Sequence, residues 1–120
     1  MTMMDTLATL LGTIPGVTVN QPKASRKAAV KTLPAIEIFS IAEDNESFAN
    51  GTRVYYKNRV QVNMAASTYS GLETLLAQVR AKLDNNHTDF ILAYPMGRGP
   101  DGYDNNPQTH WTSADWLILY

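Results

Sequence analysis

Residues 52–67 read TRVYYKNRVQVNMAAS, and within them apolar and polar side chains alternate. Val54, Tyr56, Val60, Val62 and Met64 fall on one face; Arg53, Tyr55, Lys57, Arg59, Gln61 and Asn63 fall on the other. A period of two is the repeat of a β-strand, whose successive side chains point to opposite sides. The stretch predicts a long strand over 52–66, with one face on a core and one toward water or a partner. Just upstream, Asn50-Gly51 is a strong hairpin signal. Before it, LPAIEIFSIA predicts a second strand over 34–42, with Pro34 at its first position. The pair reads as an antiparallel hairpin joined by the polar run EDNESFANG.

Downstream, SGLETLLAQVRAKLDNN predicts a helix over 70–85. Leu72, Leu75, Leu76, Val79 and Leu83 recur at helical spacing and form one apolar stripe. Ser70 and Glu73 have capping-box spacing, and Arg80 and Lys82 lie where the helix dipole favours cations. Upstream of the hairpin, Leu7, Leu10 and Leu11 predict a short helix over 3–12, stopped by Gly12, Pro15 and Gly16. GVTVNQP then reads as a short extended piece, and KASRKAAVKT as an exposed basic arm. Two strands follow the second helix, TDFILAYPM and HWTSADWLILY, with GRGPDGYDNNPQT as the loop between them. Pro95 and the glycines after it are expected to end the first of these strands. The fold class is therefore α+β: a mostly antiparallel sheet, an N-terminal helix, and one long amphipathic helix packed on the sheet. The whole chain, 1–120, reads as a single domain.

Composition narrows the function. A hydrophobic share of 44% and a charged share of 18% are globular values. The formal net charge of -1 argues against a binder that relies on phosphate contacts. There is no cysteine, which removes disulfides, thiolate catalysis and cysteine-ligated zinc. The opening residues MTMMDTLATLLGTIPG lack a basic leader and read as a helix instead of a signal peptide. No apolar run reaches the roughly 20 residues that span a bilayer, so no membrane role is expected.

Each motif with chemical potential has an ordinary account. Gly97 to Gly102 spells G-x-G-x-x-G, but no helix start follows it, so it reads as a turn-rich loop instead of a dinucleotide fingerprint. Asp101, Asp104, Asn105 and Asn106 lack calcium-loop spacing and suit turns through side-chain to backbone bonds. His87 and His110 are the two histidines, without metal-ligand spacing. Ser67 and Ser70 lack a nucleophile elbow. The expectation is no catalytic residue, no metal and no cofactor. The face Arg53, Tyr55, Lys57, Arg59 mixes basic and aromatic groups, as a single-strand platform does, and as the wet face of an antiparallel strand also does. Charge is uneven: residues 20–33 hold four basic groups, while five acids stand against Arg98 from Asp84 onward.

LPAIEIFSIAED, RVQVNMAASTYSGLETLLAQVRAKLDN and WTSADWLILY, taken in this order, resemble the tail-completion or tail-terminator proteins of long-tailed bacteriophages. The resemblance runs over nearly the whole chain. It implies a non-enzymatic virion protein, assembled in the host cytoplasm and placed at the head-proximal end of the tail. There it would form a homo-oligomeric ring, commonly a hexamer, that caps the tail tube, stops its growth and joins tail to head. Its implied partners are itself, the tail-tube protein and the head-completion or connector protein, with DNA as passing cargo. Under this reading Lys23, Arg26, Lys27 and Lys31 meet Asp101 and Asp104 of a neighbour across the subunit interface, and Arg53, Lys57 and Arg59 face the channel. A head-tail connector, a tube component and a small nucleic-acid-binding module are the alternatives.

Overall fold

β3 (Arg53–Ala66) is the spine of the molecule. The computed structural model describes residues 2–20, 33–47, 53–105 and 108–120, with the side chains of 44–47, 53 and 54 excepted. Asn58, Val60, Val62 and Met64 of β3 are buried, whereas Arg59 is exposed and Gln61 and Asn63 are partly exposed. On one side β3 pairs antiparallel with β2 (Ala35–Ser47), Ile36 facing Met64 and Ile38 facing Val62. On the other it pairs antiparallel with β6 (Gln108–Leu119), Val62 facing Ala114 and Val60 facing Trp116.

β1 (Thr18–Asn20) runs parallel to β2, and β4 (Leu92–Arg98) and β5 (Gly102–Asn105) each run antiparallel to β6. The result is a mostly antiparallel six-stranded sheet ordered β1-β2-β3-β6-β4, with β5 on β6. β3 and β5 both pair with Trp111, so they flank it, and β5 continues β4 along the same edge of β6. Two helices, α1 (Met3–Leu11) and α2 (Tyr69–Leu83), pack on one face. Fold class is thus α+β with mixed pairing.

The core lies between the helices and the inward face of the sheet. α2 buries Leu72, Leu75, Leu76, Val79 and Leu83; α1 buries Met3, Leu7 and Leu11. Ile36, Ile38, Val60, Val62, Trp116 and Ile118 meet them from the strands. Fully burying each of these side chains contributes about 1.5–3 kcal/mol before chain entropy is subtracted.

Several boundaries differ from the expectation. α2 starts at Tyr69, and Thr68, not Ser70, is its cap: the Thr68 hydroxyl accepts from Gly71 N at 2.9 Å. With the cap two residues earlier, Glu73 lies beyond capping reach and is free to pair elsewhere. α1 carries a capping box of its own, Thr2 with Asp5. β2 does not stop at residue 42 but runs to Ser47 through the polar stretch that read as a turn. A bulge between Ser40 and Ala42 leaves Ile41 on the surface. Asn50-Gly51 lies outside the described residues.

β4 begins at Leu92, because Asn86 holds Thr88 and Asp89 in a turn, its Oδ1 accepting from both backbone N–H groups at 2.9 and 3.0 Å. Pro95 does not end β4. It sits on the sheet's edge opposite Trp116, a bulge follows, and the strand continues to Arg98. Gly97 takes a φ of 121° there, a conformation side chains rarely adopt. The loop read between the last strands contains β5, whose Gly102 lies against the Trp111 indole: a Cβ on Gly102 would stand 2.0 Å from that ring.

Fourteen residues of β3 at about 3.3 Å each span roughly 46 Å, most of the molecule's 55 Å long axis; its other two extents are 27 and 26 Å. Tyr56 exchanges backbone hydrogen bonds with Tyr120 at 2.8 and 2.9 Å, and no described strand pairs with β3 beyond that point except β2. Beyond Tyr56 the described parts of β2 and β3 therefore pair with each other as a two-stranded ribbon.

Candidate assembly interface

Three surfaces stand out: the helix-free face of the sheet, the β4–β5 corner, and the two-stranded ribbon. On the helix-free face, Arg59 and Asp115 lie diagonally across β3 and β6. The Arg59 guanidinium donates to Asp115 Oδ2 through Nε at 2.9 Å and Nη2 at 2.7 Å. Half the Arg59 side chain remains exposed, so the pair contributes at most about 1 kcal/mol. Its consequence is local neutralisation: this face is polar, with the Arg59 charge matched within the chain. Lys57 sits on the same strand opposite Leu119 and Asp44. Arg53 opens β3 on the backbone, and its side chain lies outside the described part.

The β4–β5 corner is organised by Arg98. Its Nη2 donates to Glu73 Oε1 at 2.6 Å and to Asp101 Oδ1 at 2.8 Å, and its Nε reaches Asp101 Oδ1 and the Thr112 hydroxyl. One guanidinium thus ties the β4–β5 connection to α2 and to β6, the geometry for which its fixed fork is suited. Gly99 N donates to Ser113 O at 2.6 Å and closes the excursion. The hydrogen bond from Arg98 holds the Glu73 carboxyl below its ordinary value. The Thr112 hydroxyl and then Arg98 do the same for Asp101. Arg98 itself is raised, chiefly by its bond to Glu73.

A pH dependence follows with a definite sign. Carboxylates with lowered folded-state pKa values stabilise above their unfolded values, and that contribution is lost as pH falls through the lowered ones. Arg98→Ala is therefore expected to destabilise the protein most above about pH 5, and the gap to the parent should close as pH falls below the ordinary carboxylate range. Urea unfolding at a series of pH values measures this. A gap that stays constant with pH would assign Arg98 to packing alone.

Of the expected interface residues, Asp101 is engaged by Arg98 within its own chain, and Asp104 is exposed on β5 opposite Thr109. Lys23, Arg26, Lys27 and Lys31 lie outside the described residues. His110 stands between Tyr103, with ring centroids 4.6 Å apart, and Tyr69, at 6.0 Å. His87 donates through Nδ1 to Asn85 O at 3.1 Å. Among the described residues no group of three or more His, Asp and Glu side chains is placed to hold a metal, and no helix is long and apolar enough to cross a membrane.

At the base of the ribbon, the Tyr120 hydroxyl donates to Glu43 Oε2, Asn58 Nδ2 reaches the same carboxylate, and the Ser40 hydroxyl donates to Asn58 Oδ1. Tyr120 also stacks on Tyr56, with centroids 5.3 Å apart. Burial first, and the Glu43 carboxylate next, push the Tyr120 phenol up to about 12. This network ties β2, β3 and Tyr120 together at the base of the ribbon. Exposed apolar side chains flank the other sheet edge: Ile91, Tyr94 and Met96 along β4, and Tyr103 and Trp111 on the β5–β6 hairpin. Surfaces of this kind mark contact sites when they are contiguous.

Sequence spacing did not point to the Arg98 hub or to the Tyr120 network, because their partners are 25 and 77 residues apart. Composition held one hint, a single basic residue amid the acids of the last third.

No family model and no curated protein matches the chain. Among solved structures it is similar to a chain described as "Virion of native gene transfer agent (GTA) particle", with 11% identity and a TM-score of 0.56, over 94% of this chain and 82% of that one. At that identity the likeness is one of fold.

Proposed function

We propose that this chain is a structural subunit of a phage-like virion, and specifically the tail-completion ring that caps the tail tube and joins it to the head. The observation that carries the proposal is the fold likeness, which spans 94% of the chain and reaches a component of a virion particle. The two-stranded ribbon and the exposed Tyr94 and Met96 on β4 support it, since an isolated two-stranded pair and exposed apolar side chains both favour contact with a partner. In this reading the subunit assembles head to tail as a hexamer at the head-proximal end of the tail, between tube protein and connector, and carries out no reaction. The helix-free face with Lys57 and Arg59 borders the DNA path, and Arg53, whose side chain lies outside the described part, is assigned to the same path by the alternation of the sequence. Because Asp115 already matches Arg59, that wall holds DNA weakly, through phosphates and without base readout.

The test is co-assembly with the cognate tube protein, followed by electron microscopy. Rings at one end of each tube, and a stop to tube growth when the chain is added, are the expected results. Tubes that lengthen unchanged in its presence would overturn the terminator role. A ring structure with Lys57 and Arg59 on its outer wall would remove the channel assignment.

A further inference from the structure

A cavity opens at the base of the ribbon, where the start of α1 meets β2, β3 and the end of the chain. Its volume is about 390 Å³, and Met3, Met4, Glu43, Tyr56, Asn58 and Tyr120 line it. A space of this order holds a small ligand or one long side chain.

Its walls differ in character. Met3, Met4 and the stacked rings of Tyr56 and Tyr120, with centroids 5.3 Å apart, supply apolar surface. Asn58 is 2% exposed and spends its amide within the chain: its Oδ1 accepts from the Ser40 hydroxyl at 3.0 Å, and its Nδ2 faces Glu43 Oε2. The charge comes from Glu43. Its Oε2 accepts from the Tyr120 hydroxyl, whereas its Oε1 takes no hydrogen bond among the described residues. No described Lys or Arg pairs with this carboxylate either; the ion pairs of the described residues belong to Arg59 and Arg98. The positive end of α1 beside the cavity is offset by its own capping box, which sets the Asp5 carboxylate at the helix start.

Apolar walls with one anionic oxygen match an aliphatic stem that ends in a cation. The rings add to the attraction, since a cation within about 6 Å of a tyrosine ring is drawn to its face. Two side chains carry such a stem. Arginine pairs best when both carboxylate oxygens accept from its fork, and here one oxygen is already engaged by Tyr120. The lysine ammonium is a compact point charge and needs a single oxygen. We propose that the cavity at the ribbon base receives a lysine side chain of an adjoining protein subunit, its stem against Met3, Met4 and the tyrosine rings and its ammonium on Glu43 Oε1. The adjoining subunit rests on the proposal that the chain assembles into a virion; the preference for lysine rests on the cavity alone.

Two measurements test this. In the first, the isolated chain is titrated with Nα-acetyl-lysine amide while the Met3 and Met4 methyl signals are followed by NMR. Saturable shifts are expected. They should be absent with the uncharged norleucine analogue, weaken as salt is raised, and need about tenfold more ligand in Glu43→Gln. Glutamine keeps an acceptor for the Tyr120 hydroxyl, and an unchanged urea midpoint checks that the variant is folded. Shifts that do not occur, or that norleucine amide reproduces, overturn the lysine site. In the second, particles co-assembled with the tube protein from unlabelled and isotope-labelled subunits are treated with a carbodiimide, which joins a carboxylate to an amine in contact with it. An amide between Glu43 and a lysine of another chain is the expected product. Particles in which Glu43 carries no such link, or a link to its own chain alone, overturn the inference and leave the ring reading standing. Absence of particles overturns the ring reading and the adjoining subunit with it, and the titration then decides the lysine site.

Discussion

Replacing Trp116 by alanine is expected to remove about 3–5 kcal/mol of unfolding free energy. Trp116 is 1% exposed and stands on β6 opposite Val60, in the middle of the inward face. Its indole Nε1 donates to Asp84 Oδ1 at 2.8 Å, so one side chain joins the sheet to the end of α2. Alanine opens a large cavity there and discards that bond. Since domains of this size are stable by about 5–15 kcal/mol in total, the loss would be about a fifth or more of the whole. Trp116→Phe separates the two effects: it keeps most of the ring and removes the N–H. Because Asp84 is partly exposed and can be rehydrated, the lost bond itself should cost about 1 kcal/mol. Circular dichroism in urea reads both variants without relying on tryptophan emission. A cost below about 1 kcal/mol for Trp116→Ala would mean that α2 does not lie over this strand, since such small losses belong to surface positions.

The consequence for function lies in what the core holds in place. Helices and inward face make a rigid body, and the ribbon and the helix-free face are mounted on it. Tyr120, Glu43 and Asn58 connect the body to the ribbon. If the chain forms the proposed ring, it meets the same neighbour surface repeatedly and needs its contact elements at a fixed angle. The Arg98 fork does the same for the β4–β5 corner.

How much of this was legible depends on which physical signal each element carries. β3 announces itself through its period of two, which survives because one face is buried along Val60, Val62 and Met64. The stripe of α2 was equally plain. β2 was cut short because Glu43 to Ser47 are polar on both faces. Alternation fails where no apolar residue marks either face, and pairing with β3 continues the strand. β4 was started too early because Phe90, Ile91 and Leu92 form an apolar run. Phe90 is buried from a bend, and the Asn86 turn that makes the bend is a side-chain effect that periodicity does not report. The cap of α2 was misplaced by two residues because Thr68 and Ser70 are both competent caps; tertiary use of Glu73 by Arg98 is what the capping-box spacing concealed. At the interface, the basic character of residues 23–31 and the acidic character of the last third were plain. That Asp101 is already engaged within the chain required the fold.

Leu76→Ala is expected to cost about 2–5 kcal/mol. Leu76 is 2% exposed, with Leu72 and Val79 beside it on the same face of α2. Gln78, two residues on, is exposed, and Gln78→Ala should change stability by less than about 0.5 kcal/mol. The pair of variants fixes which side of α2 faces the sheet. Leu76 and Trp116 belong to one core cluster, so the double variant should depart from additivity by about 0.5–3 kcal/mol. The same variant bears on assembly. If the subunit meets its neighbours through the ribbon and the sheet, Leu76→Ala should lower the urea midpoint and leave ring formation unchanged under conditions where the monomer stays folded. Slower assembly of a fully folded Leu76→Ala subunit would place α2 itself in the contact and move the interface to the helical side.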